Sequence, residues 1–238
     1  QKKTSFSWLG LFSSLFILII WLRYIRKLDI YEPEPWLHTL VVLGLSMITI
    51  FLVYPYGDIL RDFFGYFPSL NPIKALLHDI IAIGFIEEMV KFIPFLIILK
   101  FTKAVNEPYD YIYYMSVSAL GFAFIENLGY IQDSSLNNIS TRGIMPAVAH
   151  MLFSATIGYG LMLAKYKKYN SLLMFIVFFV LAAIMHGFYD YWLINKFVAG
   201  YEWVSILFFI LMVHIWHIYV NNTLNISNFY HKHIKIEN

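Results

Sequence analysis

The chain contains no cysteine. That excludes disulfides, thiolate zinc sites, iron–sulfur clusters and a cysteine nucleophile, and it leaves the redox state of the compartment unread. Charge is also scarce: Asp, Glu, Lys and Arg make up 13% of 238 residues, where a soluble domain carries about 25%. No sign dominates, with 17 Lys+Arg against 15 Asp+Glu and a formal net charge of +2. The basic residues lie in short loops rather than in a patch interleaved with aromatics, so nucleic-acid binding is unsupported. Internal repeats, low-complexity tracts and a soluble-domain stretch are missing too. Any chemistry falls to carboxylates, imidazoles, hydroxyls and amines.

What is abundant is apolar surface: 60% of residues are hydrophobic and 19% aromatic, and the mean hydropathy is +0.65. A helix needs about 20 apolar residues to cross the hydrocarbon. Seven runs approach that length: Ser5 to Leu22, Trp36 to Pro55, Leu76 to Leu99, Tyr111 to Ile131, Ile144 to Ala164, Leu172 to Leu193 and Val204 to Val220. The first is followed by Arg23, Arg26 and Lys27 and lacks a small-residue cleavage site, so it reads as a span and not as a leader. Unpaired backbone amides are too costly in lipid, and the runs are too long for barrel strands. The expectation is therefore an all-α, polytopic transmembrane helix bundle of about seven spans, with residues 1–238 forming a single membrane domain. A polar tail is expected over 221–238, His78 with Asp79 is expected to open a helix at the surface, and the aromatic stretch from Gly57 to Lys74 suits the interface.

Alternate loops carry unequal positive charge. One set holds Arg23, Arg26, Lys27, Lys100, Lys103, Lys165, Lys167, Lys168, Lys232 and Lys235; the other holds Lys2, Lys3, Arg61, Lys74, Arg142 and Lys196. The richer set is expected in the cytoplasm, which puts the amino terminus outside and the carboxyl terminus inside a cell membrane.

Several ionisable groups lie within the apolar runs, each at an insertion cost of at least ~2.5 kcal/mol. In Gly84-Phe85-Ile86-Glu87-Glu88-Met89-Val90-Lys91, the lysine comes four residues after Glu87 and three after Glu88, so all three share a helix face. One Glu–Lys pair would serve insertion alone. The second carboxylate is in excess and suits general acid/base work. Glu126 and Asn127 sit side by side on the fourth span with no cation nearby in sequence, so their partner must come from another helix. His186 and Asp190, four apart on the sixth span, suit a pair in which the carboxylate sets the imidazole tautomer, although a plain structural hydrogen bond would have the same spacing. His150 is a lone histidine on an apolar helix. At ~1.5 Å per residue, Glu87, Glu126, His150 and His186 all fall in the outer half of the bilayer, as one shared polar cluster requires. His214 and His217 read as interface or packing residues.

Glu87-Glu88-x-x-Lys91, Phe122-x-x-x-Glu126-Asn127 and His186-x-x-x-Asp190, in this order on successive spans, resemble the PrsW family of intramembrane proteases, relatives of the prenyl-protein (CAAX) endopeptidases and bacteriocin-processing proteins. Tyr31-Glu32-Pro33-Glu34-Pro35-Trp36 and His150 with the Ser154 to Gly160 stretch are similar to the family as well, so the likeness covers about residues 28 to 195. The resemblance implies hydrolysis of a peptide bond in a membrane-anchored protein substrate within the lipid bilayer. PrsW-like proteins are associated with site-1 cleavage of anti-sigma factors from outside the cytoplasmic membrane. In CAAX-type enzymes the second motif ends in His and the third in Asn. Here Glu126 and Asp190 stand in those places, and a carboxylate donates no hydrogen bond unless protonated.

Two schemes are compatible with these residues. In one, favoured because Lys91 repels a cation and the chain has no His-Glu-x-x-His spacing, no metal is needed: Glu87 or Glu88 activates water, Lys91 and Asn127 orient the carboxylates, and His186, held by Asp190, stabilises the oxyanion or protonates the leaving amine. In the other, Glu88, Glu126, His150 and His186 hold zinc and Glu87 is the base. A proton-coupled small transporter and a non-catalytic membrane scaffold are the competing readings, the former weakened by the lack of an inverted repeat.

Overall fold

The computed structural model describes residues 8–64, 71–131, 144–195 and 198–233. The loop cations Lys2, Lys3, Arg142, Lys196 and Lys235 lie outside these residues. Every regular element described is helical, in chain order α1 (Trp8–Leu28), α2 (Trp36–Thr49), a 3₁₀ turn (Ile50–Leu52), α3 (Val53–Phe64), α4 (Pro72–His78), a π-helical segment (Asp79–Phe85), α5 (Ile86–Phe101), α6 (Pro108–Ile131), α7 (Met145–Tyr166), α8 (Ser171–Ile194) and α9 (Trp203–His233).

The centre of the bundle is the α6–α7 pair, flanked by α1, α2, α5, α8 and α9. Every residue from Glu107 to Ala123 and from Ala147 to Gly158 is buried. Neither helix carries a polar stripe turned outward, and the few polar side chains of these stretches are buried with the apolar ones, the pattern of a helix surrounded by protein. α2, α8 and α9 instead expose Leu37, Leu40, Ile48, Leu172, Ile176, Val180, Leu207, Ile210 and Leu211. Such unbroken apolar faces suit contact with acyl chains.

The span count is lower than the sequence suggests. Among the described residues four helical stretches are long and apolar enough to cross a membrane: Trp36–Leu60, Met145–Tyr166, Ser171–Leu193 and Trp203–Asn228. The other three expected runs fall short for identifiable reasons. The run from Ser5 to Leu22 begins outside the described residues, and the described part, from Trp8, is followed at once by Arg23, Arg26 and Lys27. α6 is diluted by tyrosines, serines, Glu126 and Asn127. The run from Leu76 carries Glu87, Glu88 and Lys91 and is not one uniform α-helix, being α-helical to His78, π-helical to Phe85 and α-helical again beyond. Its start also differs from expectation. Asn71 caps it by accepting from the amides of Ile73 and Lys74 at 3.0 and 3.2 Å, so His78 and Asp79, 3.1 Å apart, lie inside the helical run rather than at its beginning. At the other end, the expected tail from residue 221 continues α9 to His233.

The wide turns of the π segment pack on α8 at a glycine crossing. A Cβ at Gly84 would strike the Ala183 carbonyl oxygen and the Gly187 amide, and one at Gly187 would strike the backbone of Asp79 and Ile80. Only glycine at both positions lets the backbones approach this closely, and the crossing sets His186 beside α5. Gly187→Val is expected to push α8 away and lower stability by about 1–3 kcal/mol, read as a lower melting temperature of the detergent-solubilised protein.

Candidate active site

Glu87 and Glu88 open α5, immediately after the π segment. An extra residue in a helical turn rotates the residues beyond it, and such segments are frequent at functional sites. Lys91 lies between the two carboxylates, its Nζ 3.3 Å from Glu87 Oε2 and 2.9 Å from Glu88 Oε1. The ammonium also faces the Phe122 ring at 4.3 Å. Its backbone carbonyl accepts from Ser118 Oγ at 2.6 Å, which ties α5 to α6. Lys91 and Glu88 are fully enclosed.

Glu88 has its lone pairs taken up on all sides. Oε1 accepts from Lys91 and lies 3.0 Å from His186 Nδ1, and Oε2 accepts from Ser154 Oγ at 2.6 Å. Ser154 was not singled out as a site residue from the sequence. The available signal was its position four residues after His150, which places both on one face of α7.

His150 supplies the partner that Glu126 lacked: Nε2 is 2.7 Å from Glu126 Oε2. Its Nδ1 is 2.7 Å from Lys91 Nζ, so the ammonium donates to Nδ1 and the Nε2–H donates to the carboxylate. His186 sits at right angles to His150, ring centroids 4.9 Å apart, and lies nearly parallel to Phe153. Nδ1 is engaged by Glu88, because the glycine crossing brings α8 against the start of α5. Nε2 is buried without a hydrogen-bond partner, 3.5 Å from Glu87 Oε2 and 3.4 Å from Asp190 Oδ2. Asn127 is buried one residue beyond Glu126.

Glu87 and Glu126 open onto a cavity of about 420 Å³, walled by Ile50, Phe51, Val53, Tyr54, Phe122, Ile125 and Gly129. The break between α2 and α3 thus provides an apolar wall opposite two carboxylates.

The donor set also suits a metal. Glu87, His150 and His186 each offer one ligand atom, all within 4.8 Å of one another. Each imidazole has one nitrogen held by a carboxylate, Glu126 for His150 and Glu88 for His186, the usual outer support of a metal-ligating histidine. A two-histidine, one-glutamate set fits zinc. This is not the set expected from the sequence: Glu88 is occupied by Lys91, His186 and Ser154, and Glu126 backs His150. Opposing a cation is the Lys91 ammonium against His150 Nδ1.

Acidic and imidazole groups from four helices, gathered in an apolar bundle beside a small cavity, define the class as a membrane protein with a candidate hydrolytic centre. The family model described as PrsW family intramembrane metalloprotease matches residues 32–217. Over 209 residues the chain is 30% identical to Protease PrsW of Clostridioides difficile (strain 630), covering 84% of each chain. Over 182 residues it is 29% identical to Protease PrsW of Geobacillus kaustophilus (strain HTA426), covering 76% of this chain and 77% of the relative. Protease PrsW of Bacillus subtilis (strain 168) is 26% identical over 173 residues. No solved structure matches. The chain belongs to the PrsW family of intramembrane proteases.

Removing the Lys91 cation leaves two enclosed carboxylates unneutralised. Lys91→Met is expected to destabilise the protein by about 3–5 kcal/mol, and Glu88→Gln added to it is expected to restore part of that loss. A melting series of wild type, both single variants and the double variant checks the coupling.

Proposed function

We propose that this chain is an endopeptidase that cuts a membrane-anchored protein close to the outer surface of the cell membrane, with an anti-sigma-factor-like protein as the substrate type. The observation that carries this reading is the cavity on which Glu87 and Glu126 open, while Glu88 is closed off by Lys91, His186 and Ser154. An extended segment unwound from a substrate helix would lie against Phe51, Tyr54 and Ile125, with its scissile carbonyl over the carboxylates. The excess of Lys and Arg on the loops at the opposite ends of these helices supports a site facing outward.

Each of the chain's own residues has a distinct part in this chemistry. Glu87 Oε2 takes the proton from the attacking water, and Lys91 at 3.3 Å balances the charge before that transfer. His186, with Nδ1 committed to Glu88, has Nε2 free to donate to the tetrahedral oxyanion or the leaving amine. Asp190, 3.4 Å from that nitrogen, favours the imidazolium this requires. Glu88 is a positioning residue, holding Lys91 and His186 in place. Ile50, Val53 and Phe122 keep bulk water from the carboxylates.

Glu87, His150 and His186 would hold a zinc ion, which when bound lowers the pKa of its water towards about 7. Proton acceptance would then pass to Glu126, the other carboxylate on the cavity. The contact of Lys91 with His150 Nδ1 favours the metal-free form.

With a single-span substrate reconstituted in liposomes, Glu87→Gln is expected to slow cleavage by about 10²–10⁴-fold. Cleavage at the wild-type rate by Glu87→Gln, Glu88→Gln and Glu126→Gln alike would overturn the protease reading. Metal content of the purified protein separates the two forms: stoichiometric zinc that disappears in His186→Ala, with activity lost to chelator, selects zinc, and chelator-resistant cleavage removes it.

A further inference from the structure

The Glu-Pro-Glu-Pro motif before α2 has no part in the cluster around Glu87, yet it sits beside a second convergence of acids at the far end of the bundle. Asp29 lies just after α1, Glu34 precedes α2, and Glu107 and Asp110 flank the start of α6. All four are nearly inaccessible, with exposures of 3%, 3%, 1% and 0%. Asp29, Glu107 and Asp110 each offer a carboxylate oxygen, all within 4.8 Å of one another.

Backbone amides hold one oxygen of each aspartate. Asp29 Oδ2 accepts from the Glu34 amide at 2.9 Å, and Asp110 Oδ2 accepts from the amides of Asn106 and Glu107 at 2.8 and 2.6 Å. The other oxygens, Asp29 Oδ1 and Asp110 Oδ1, are buried and receive no N–H or hydroxyl donor; the groups beside these two aspartates are further carboxyls, Glu107 next to Asp29 and Glu34 next to Asp110. Unsatisfied buried carboxylate oxygens are expensive, and the penalty grows when several like charges share one spot. Positive charge is in short supply. Arg26, whose charge acts on Asp29, packs its guanidinium over Trp36 at 4.2 Å and reaches the Tyr113 hydroxyl at 3.5 Å. Burial pushes the Asp29 carboxyl up to about 7, with the neighbouring Glu107 acting in the same direction. Two agents could relieve this crowding, a cation or protons shared among the acids, and only the first would make the cluster a binding site.

We propose that Asp29, Glu107 and Asp110, flanked by Glu34, bind one hard divalent cation, calcium or magnesium, at the end of the bundle where α1, α2 and α6 meet. Calcium binds oxygens at about 2.3–2.6 Å and magnesium at about 2.0–2.1 Å. Oxygens on one such ion lie no more than about twice that distance apart, about 5 Å for calcium, which matches a spacing within 4.8 Å, and about 4 Å for magnesium, onto which the carboxylates would have to close. Donors that are all carboxylate select these ions over zinc. The cation would fasten the loop after α1 to the first turn of α6, the central helix. This inference does not depend on the proteolytic reading.

The full-length protein in detergent, stripped with chelator, is titrated calorimetrically with calcium, magnesium and zinc separately, and its melting temperature is followed in each. One equivalent of calcium or magnesium is expected to bind and to raise the melting temperature, and which of the two does so identifies the ion. Asp29→Asn and Asp110→Asn are expected to weaken binding at least about tenfold, with Glu107→Gln as a further ligand variant should either fail to fold. The double variant His150→Ala/His186→Ala, which removes the candidate zinc ligands, should bind as wild type does. Absence of calcium and magnesium binding by wild type overturns the proposal and leaves shared protons as the relief. Binding unchanged in all the carboxylate variants, or lost with the histidines, overturns it as well.

Discussion

A single ammonium group, Lys91 Nζ, sits where α5, α6 and α7 meet, and the polar interior of this bundle is arranged around it. It contacts Glu87 and Glu88 on its own helix and His150 on α7, and it faces the Phe122 ring of α6. In an apolar surround two adjacent carboxylates cannot both remain ionised without a counter-charge at contact distance. The lysine makes the pair tolerable; Glu88 in turn holds His186, and Glu126 of α6 holds His150. Enclosure and reactivity are divided between neighbours: Glu88 holds the cluster together, whereas Glu87 opens to the cavity.

Placing these groups requires two irregularities. The π segment from Asp79 to Phe85 sets the direction in which Glu87 and Glu88 leave α5. The glycine crossing of Gly84 and Gly187 removes the side chains that would otherwise keep α8 from coming close enough for His186 to reach Glu88. A third break, the 3₁₀ turn between α2 and α3, provides residues that wall the cavity. In each case the deviation from regular helix lies beside the polar cluster, where a uniform bundle would have closed tightly on itself.

Local spacing made several contacts readable in advance. Positions three and four apart on a helix face each other whatever surrounds them, so the meeting of Lys91 with both glutamates came directly from the linear order. The same rule put His186 near Asp190, but it carried no information about Glu88, ninety-eight positions away in the chain. That longer-range contact engages the imidazole Nδ1, while Nε2 lies 3.4 Å from Asp190 Oδ2. The span count failed for a different reason. The expected runs were judged by their apolar stretches alone, and α6 and the run from Leu76 carry enough polar and charged residues, Glu126 and Asn127 in one and Glu87, Glu88 and Lys91 in the other, to fall below the hydropathy of a membrane span.

What the linear order determined was composition-driven: an all-helical membrane protein, its buried charges, and the family resemblance those charges carry. Such properties derive from the transfer free energy of each residue and from the 3.6-residue turn, both local. Only the tertiary structure decided which carboxylate backs which imidazole, which glutamate reaches open space, and that the four acids around Asp29 converge at the opposite end. Those outcomes depend on how helices distant in sequence cross, and the crossings are set by close backbone approach and by side-chain volumes that no single helix contains.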